Sequence, residues 1–458
     1  MIDTIIFDLD GVLINSKDIH FSCLNRAILK AGINYQITYE DHVHNFDGLP
    51  TISKLKILNK KKIIPAKVNK KIQIIKNKYT SKELNKIIKF DRNIYNIFKN
   101  LSHKYKIGIA TNAIQKTLNL SIKKLKIKKF VKFSISKNFI RNPKPHPEIY
   151  LKLILKLNSN PKNTLIIEDS HHGRIAAKDS GAQLMPIKNI HEVTYKNIIN
   201  FIKNKKFVLH KTNRQWDDKD LRIVIPMAGQ GSRFIDAGYT FPKPLIEVKQ
   251  KPMIQLVVES LNIKGKYIFL VKKEHYEKYN FKNFLNILAP NSEIVIVNKL
   301  TEGAACTVLL AEKFINNNKP LIIANSDQYI EWNSSETMYS FVSSKIDGGI
   351  LTFKALHPKW SYAKVDKNNQ VLEVAEKKVI SNNATVGVYY WKKGSDFVKY
   401  ARDMIKKNFR VNDEFYVCPV YNQAINDKKI IKIKEVNSMW GLGTPEDLKF
   451  FEKNYNAI

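Results

Sequence analysis

The sequence predicts an α/β protein built as two wound sheets, one after the other along the chain. Three observations carry that reading. Short apolar runs end repeatedly in polar or acidic clusters, and stretches with helical apolar spacing lie between them. A polar, charged stretch over 189–220 breaks this pattern, which then restarts with a strand, a glycine loop and a helix. At 458 residues the chain is long enough for two or three cores, and with 44% hydrophobic residues it can fill them, which excludes a disordered chain.

In the first part, strands are expected at Thr4–Phe7, Ile107–Ala110, Phe133–Ile135 and Leu165–Ile167, with a helix at Pro147–Leu157. After the first strand, residues from about 15 to 89 read as a helical insert, because Leu24–Ala31, Ile52–Leu58 and Val68–Ile75 all have helical spacing. The second part opens with a strand at Ile223–Ile225 and a helix at Met253–Leu261. Further strands are expected at Tyr267–Val271, Glu293–Val297, Leu321–Ala324, Gly349–Ala355 and Ala384–Trp391. The expected domains are 1–188 and 221–458, joined by a linker over 189–220.

Lys and Arg number 77 against 41 Asp and Glu, a formal charge of +36. The lysines are spread along the chain beside abundant Ile and Asn, as codon bias produces, and no finger, helix-turn-helix or RNA-binding signature accompanies them. No nucleic-acid partner is expected, although a basic surface attracts anionic substrates. Cys23, Cys306 and Cys418 stand too far apart in sequence to suggest a zinc site or a disulfide frame. The opening MIDTIIFDLDG lacks a basic leader, and no run of about eighteen apolar residues occurs. A cytoplasmic protein without a membrane span is the expectation, with room for a homo-oligomer.

In FDLDG, Asp8 and Asp10 lie just past a buried strand, and the turn at Gly11 can bring their oxygens together. Two carboxylates there repel unless a cation sits between them, which points to Mg2+ and a phosphate ligand. The second strand ends in Thr111 and Asn112, able to bind phosphate oxygens. Lys144 follows the third, and Glu168 and Asp169 end the fourth. Nucleophile, donors, cation and metal ligands at four strand ends make up the inventory for phosphoryl transfer through a carboxylate.

This constellation resembles the haloacid dehalogenase superfamily over residues 1 to about 188, most closely the β-phosphoglucomutase-like branch, a Rossmann-like core with a helical cap. The resemblance implies that Asp8 attacks phosphorus to give an aspartyl-phosphate. Asp10 then protonates the leaving oxygen and later activates water. Mg2+ is held by Asp8, the Asp10 carbonyl, Glu168 and Asp169, while Thr111, Asn112 and Lys144 neutralise the transferring group. His20 and the cap glycine Gly48 are implied substrate contacts. Mutases of this branch carry a basic residue three positions after the cap glycine. Here it is Thr51, which favours a phosphatase, with other cap lysines available as substitutes.

In IPMAGQGSRF, Gly229 and Gly231 let the backbone approach a ligand, and Arg233 with Lys243 of FPKPL adds fixed charge for a polyphosphate. The pattern GQGSRF followed by PKPLIEVKQKPMI resembles the nucleotide sugar pyrophosphorylases, with a Rossmann-like, GT-A-like fold, over about 221–458. The resemblance implies that Met227, Ala228, Gly229, Gly231 and Ser232 bind the nucleotide, with Arg233 on the triphosphate and Lys243 at the α-phosphorus. Asn298 and Gly303 are implied base contacts, and Asp327 the metal ligand. Glu376 would meet sugar hydroxyls, Lys377 the acceptor phosphate and Gly387 the sugar. Gly441 and Ala363 depart from the family pattern, which normally carries a second metal-binding Asp and a glycine there. Asp413 and Glu414 are candidate compensating acids.

The combined expectation is a bifunctional enzyme. A Mg2+-dependent phosphatase is fused to a transferase that moves a nucleotidyl group from an NTP, with CTP favoured by analogy, to a sugar or polyol phosphate for surface polysaccharide precursors. The rival readings are a glycosyltransferase for the second part and a phosphosugar mutase for the first.

Overall fold

Every residue of β1 (Thr4–Phe7) is buried, and this strand lies at the centre of the first sheet. With β2 (Lys106–Thr111), β3 (Phe133–Ser136), β4 (Thr164–Glu168) and β5 (Gln183–Pro186) it forms a parallel sheet in the order β3-β2-β1-β4-β5. Helices cover such a sheet on both faces, so its strands read as continuous apolar runs. Strand order reverses beside β1, and a crevice opens where the carboxyl ends of β1, β2 and β4 meet. β5 escapes the sequence reading because Gln183 and Pro186 cut its apolar run short.

The computed structural model describes residues 1–42, 46, 49–204 and 214–455, and the chain divides into two units, Met1–Asn213 and Arg214–Ile458. In the first unit the insert after β1 contains α1 (Lys17–Lys30), α2 (Thr51–Lys60) and α3 (Asn69–Ile87). These helices share a small core of their own, through Leu24, Ile28, Leu55, Leu58 and Ile72. The stretch 189–220 is not a featureless linker. It holds the helix Tyr195–Asn204, whose Ile198 is fully buried in the core of the first unit. The intervening lysines and asparagines mask the helical spacing of Ile198, Ile199, Phe201 and Ile202.

The second unit begins with β6 (Trp216–Met227), followed by β7 (Ile263–Lys272), β8 (Glu293–Val297) and β9 (Leu321–Ala324), all mutually parallel. Then come β10 (Gly348–Lys354), β11 (Tyr362–Val365), β12 (Val371–Ala375), β13 (Asn383–Trp391) and β14 (Ile431–Glu435). Seven of the nine strands run β8-β7-β6-β9-β13-β10-β14, and off this path β11 pairs with both β12 and β13. β13 lies antiparallel to β9 and β10. All nine of its residues are buried, so its sequence looks like that of a parallel strand and hides this reversal. Apolar clusters pack on each face of the sheet, one around Trp391 and Tyr421 and the other around Phe269 and Phe341. Among the described residues no helix is long and apolar enough to cross a membrane.

Candidate active sites

The strand ends of the first unit deliver a buried ion cluster. Asp8 follows β1, and the Lys144 ammonium donates to its Oδ1 at 2.5 Å and to Glu168 Oε1 at 2.6 Å. The Ala110 carbonyl, near the end of β2, accepts from the same ammonium at 3.1 Å. The Tyr150 hydroxyl and the Ser170 backbone and hydroxyl occupy further positions on the Glu168 carboxylate. Lys17, at the start of α1, pairs with Asp169 at 2.8 Å. Asn112 lines the cavity at these strand ends and is also tied to the lysine's backbone. Its amide brackets Lys144, accepting from the Lys144 N–H at 3.2 Å and donating to its carbonyl at 3.3 Å. Thr111 is buried and accepts from Ala113 N.

Asp8, Glu168 and Asp169 each present a carboxylate oxygen, and these oxygens lie within 4.8 Å of one another. Glycine backbone makes that crowding possible. A Cβ at Gly11 would stand 2.1 Å from Asp169 Oδ2, and one at Gly173 would stand 1.8 Å from Glu168 Oε1. A buried donor set made only of oxygen suits a hard divalent cation. Burial pushes the Asp8 carboxyl well above its ordinary value. Lys144 opposes the rise, and Glu168, Asp169 and Asp10 reinforce it. A cation among these oxygens would relieve that repulsion.

Asp10 faces the other way. Its Oδ1 accepts from the Ser16 hydroxyl and lies 3.1 Å from His20 Nε2. Burial alone would raise its pKa, but His20, Ser16 and Lys76 outweigh burial and hold it down at about 2. Asp10 is therefore a carboxylate at neutral pH. Gly48, the expected cap contact, lies outside the described residues.

In the second unit Lys243 sits between Pro242 and Pro244, in a short turn after the glycine loop. Its ammonium donates to Asp327 Oδ2 at 2.6 Å and to the Gly443 carbonyl at 3.3 Å. Both side chains line a cavity of about 320 Å³, together with Arg233, Glu376, Lys377 and Gly387. Burial raises the Glu376 carboxyl, against the pull of the Ser361 hydroxyl, which donates to it at 2.5 Å, and of Lys377. The Lys377 ammonium donates to the Tyr416 hydroxyl at 2.6 Å. Gly387 has φ +77°, where the pairing of β13 with β10 shifts register, and a Cβ there would stand 2.3 Å from Asn325 Nδ2.

Two family models match these units. Residues 5–187 match the haloacid dehalogenase-like hydrolases, and residues 223–453 match the nucleotidyl transferases. Over 183 residues the chain is 31% identical to the pyrophosphatase PpaX of Anoxybacillus flavithermus, covering 40% of this chain and 81% of that protein. The chain belongs to both families. Among solved structures, the nucleoside-diphosphate-sugar pyrophosphorylase of Vibrio cholerae RC9 is 23% identical, covering 51% of this chain and all of that one, with a TM-score of 0.45. The β-phosphoglucomutase of Clostridium difficile is 22% identical, covering 44% of this chain and 96% of that one, with a TM-score of 0.38. The protein is thus an enzyme joining a hydrolase to a nucleotidyl transferase.

Not every expected residue lines these two cavities. Met227 and Ala228 of the transferase unit are buried with their side chains in the core, which leaves only their backbone to meet a ligand. Gly229, Gly231, Ser232, Asn298 and Gly303 are not among the residues lining the transferase cavity. Nor are Asp413 and Glu414, which sit exposed at a turn. Beside Asp327 and Glu376 a third acid lines it, unforeseen in the sequence: Asp447, paired with Lys359 at 2.7 Å. Its carboxylate comes within 3.5 Å of where a Cβ at Gly441 would stand. In the hydrolase unit the reading missed Ser16, Lys17 and Tyr150, whereas Gly173 opens GRIAAKDSGA, a stretch after the acidic pair that the resemblance already matches.

Gly303 has a backbone reason to be glycine. Its φ is +128°, and a Cβ would lie 2.5 Å from Phe415 N. Gly303→Ala is expected to cost about 2 kcal/mol or more of stability, read from denaturant unfolding. Wild-type stability combined with weakened nucleotide binding would instead make this glycine a ligand contact.

Proposed function

We propose that the hydrolase unit is a Mg2+-dependent phosphatase working through an aspartyl-phosphate. The transferase unit, in this reading, moves a nucleotidyl group from an NTP, CTP in the favoured case, to a sugar or polyol phosphate. The observation that supports it most is that each unit gathers lysine and carboxylate in one cavity at the ends of its strands.

In the hydrolase unit an Asp8 oxygen attacks phosphorus, the bond to the ester oxygen breaks, and the protonated form of Asp10, the minor one at neutral pH, supplies that oxygen with a proton. Asp10 then takes a proton from water, which attacks the aspartyl-phosphate and releases inorganic phosphate. The carboxylate state in which His20 holds Asp10 is the one this second step needs. Asp8, Glu168 and Asp169 would hold Mg2+, which supplies charge neutralisation for the phosphoryl oxygens. Lys144, bonded to Asp8 and Glu168, adds to that charge, and Asn112 fixes its peptide.

In the transferase unit the acceptor phosphate attacks the α-phosphorus in line, and pyrophosphate leaves against Arg233 and Lys243. Asp327 would hold the metal, with Glu376 and Lys377 on the acceptor. The favoured setting is the cytoplasm, in the synthesis of precursors for a surface polysaccharide.

Purified protein incubated with the common NTPs and a panel of sugar and polyol phosphates is expected to release pyrophosphate with one pairing. The same panel, with inorganic pyrophosphate added because of the PpaX likeness, is expected to show Mg2+-dependent phosphate release. Sugar transfer from a nucleotide sugar without pyrophosphate would replace the transferase reading with glycosyl transfer. Isomerisation of a sugar phosphate would replace the phosphatase with a mutase.

A further inference from the structure

The helix Glu148–Lys156 carries a phenol into the core of the hydrolase unit. Ile149, Tyr150, Leu153 and Ile154 belong to its buried face and pack against Ile6, Ala110 and Ile166 of the central strands. The helix lies close against β2 because Gly108 has no side chain: a Cβ there would stand 2.9 Å from Leu153 Cδ2. Its first turn is pinned by Glu148, whose carboxylate accepts from the backbone N–H groups of Arg141 and Asn142 at 2.9 and 2.8 Å. Tyr150 is thus fixed by its backbone and by a ring that solvent does not reach.

This phenol meets both members of a buried ion pair. Its hydroxyl donates to Glu168 Oε1 at 2.8 Å, the same oxygen that accepts from Lys144 at 2.6 Å. Its ring faces the Lys144 ammonium, with Nζ 4.6 Å from the centroid. A carboxylate offers about four lone-pair positions. On Glu168 they are met by Lys144 and Tyr150 at Oε1 and by the Ser170 N–H and hydroxyl at Oε2, so both oxygens are held. Lys144 in turn directs its ammonium to Asp8, Glu168 and the Ala110 carbonyl. Without the phenol hydroxyl, Oε1 would answer to the ammonium alone, and the carboxylate would be freer to turn.

We propose that Tyr150 is a positioning residue of the hydrolase unit, which orients the Glu168 carboxylate for a divalent cation and holds the Lys144 ammonium beside Asp8. The inference rests on the phosphatase reading above and adds to it a residue that does not line the cavity. Packing does not require the hydroxyl, since a phenyl ring fills the same space. Groups that orient the ligands of a metal commonly change its affinity or the activity by about ten- to a hundredfold when they are removed.

Tyr150→Phe in the full chain tests this, because it keeps the ring and deletes the hydroxyl. Phosphate release is followed with Mg2+ on the fastest of p-nitrophenyl phosphate, pyrophosphate and a hexose phosphate. The exchange is expected to lower kcat by about ten- to a hundredfold while KM for the phosphorylated substrate stays within about threefold. Calorimetric titration of Mg2+ without substrate is expected to show binding about tenfold weaker than in the wild-type chain. The transferase unit is the same in both chains, so the change belongs to the hydrolase unit. Combined with Glu168→Gln, Tyr150→Phe is expected to weaken Mg2+ binding no further, since the group through which the hydroxyl acts is already altered. A Tyr150→Phe chain with kcat and Mg2+ affinity within about twofold of the original overturns the inference while the phosphatase reading stands. So does a loss that adds in full to that of Glu168→Gln, or a variant that fails to fold, which would make the hydroxyl a structural bond. Absence of phosphate release by the wild-type chain from all three substrates sinks both.

Discussion

Asp8→Asn is expected to lower phosphate release by about ten-thousandfold or more while pyrophosphate release by the transferase unit continues at its original rate. The exchange keeps the shape of the side chain and removes the attacking oxygen's charge, so what is lost is nucleophilic power. Folding should survive it. The Asp8 carboxyl is pushed up by its own burial and by its acidic neighbours, so this group is under electrostatic stress and a neutral amide relieves part of it. Lys144 keeps Glu168 as a partner at 2.6 Å, which spares the variant an unpaired buried ammonium. Asp8 is not among the residues that line the transferase cavity. Phosphate and pyrophosphate followed separately in one preparation give the answer. Phosphate release within tenfold of the original would remove Asp8 from the nucleophile's role.

What the sequence makes legible is whatever depends on neighbours along the chain. Asp8 stands out because a charge ends a run of four buried residues, and a similar local contrast marks Glu168 and, just past its strand, Asp327. Residues that matter through the fold alone stay hidden. Lys17 and Tyr150 look like ordinary helix positions until α1 and the helix Glu148–Lys156 bring them to Asp169 and Glu168. Lys54 is one lysine among many until the face of α2 turns it inward. Asp447 lies in the first turn of the helix Pro445–Asn454, where an acid needs no ligand to explain it. Helices also hide when polar residues dilute their apolar stripe, as at Tyr195–Asn204. Strand direction hides when both faces of the strand are buried, as in β13.

In the transferase unit, Lys243→Met is expected to lower nucleotidyl transfer by about a hundred- to a thousandfold, chiefly in kcat, as loss of one preorganised donor at a developing charge does. The backbone is what makes this lysine preorganised. Pro242 holds φ at −60° and Pro244 lies in the same short turn, so little conformational freedom remains between them. The ammonium is already placed, 2.6 Å from Asp327, and shares the cavity with Arg233. Arg233, by contrast, is exposed on a five-residue helix. Its replacement by Ala should therefore appear largely in the KM for NTP. Instability does not account for the Lys243 effect. Its ion pair is partly open to solvent, with side chains 21% and 29% exposed, and such pairs contribute about 1 kcal/mol or less. Pyrophosphate release measured over a range of NTP concentrations separates the two parameters. A Lys243→Met enzyme that keeps kcat within threefold of the original would mean that charge at the α-phosphorus is met elsewhere, Lys359 being a further cation that lines the cavity.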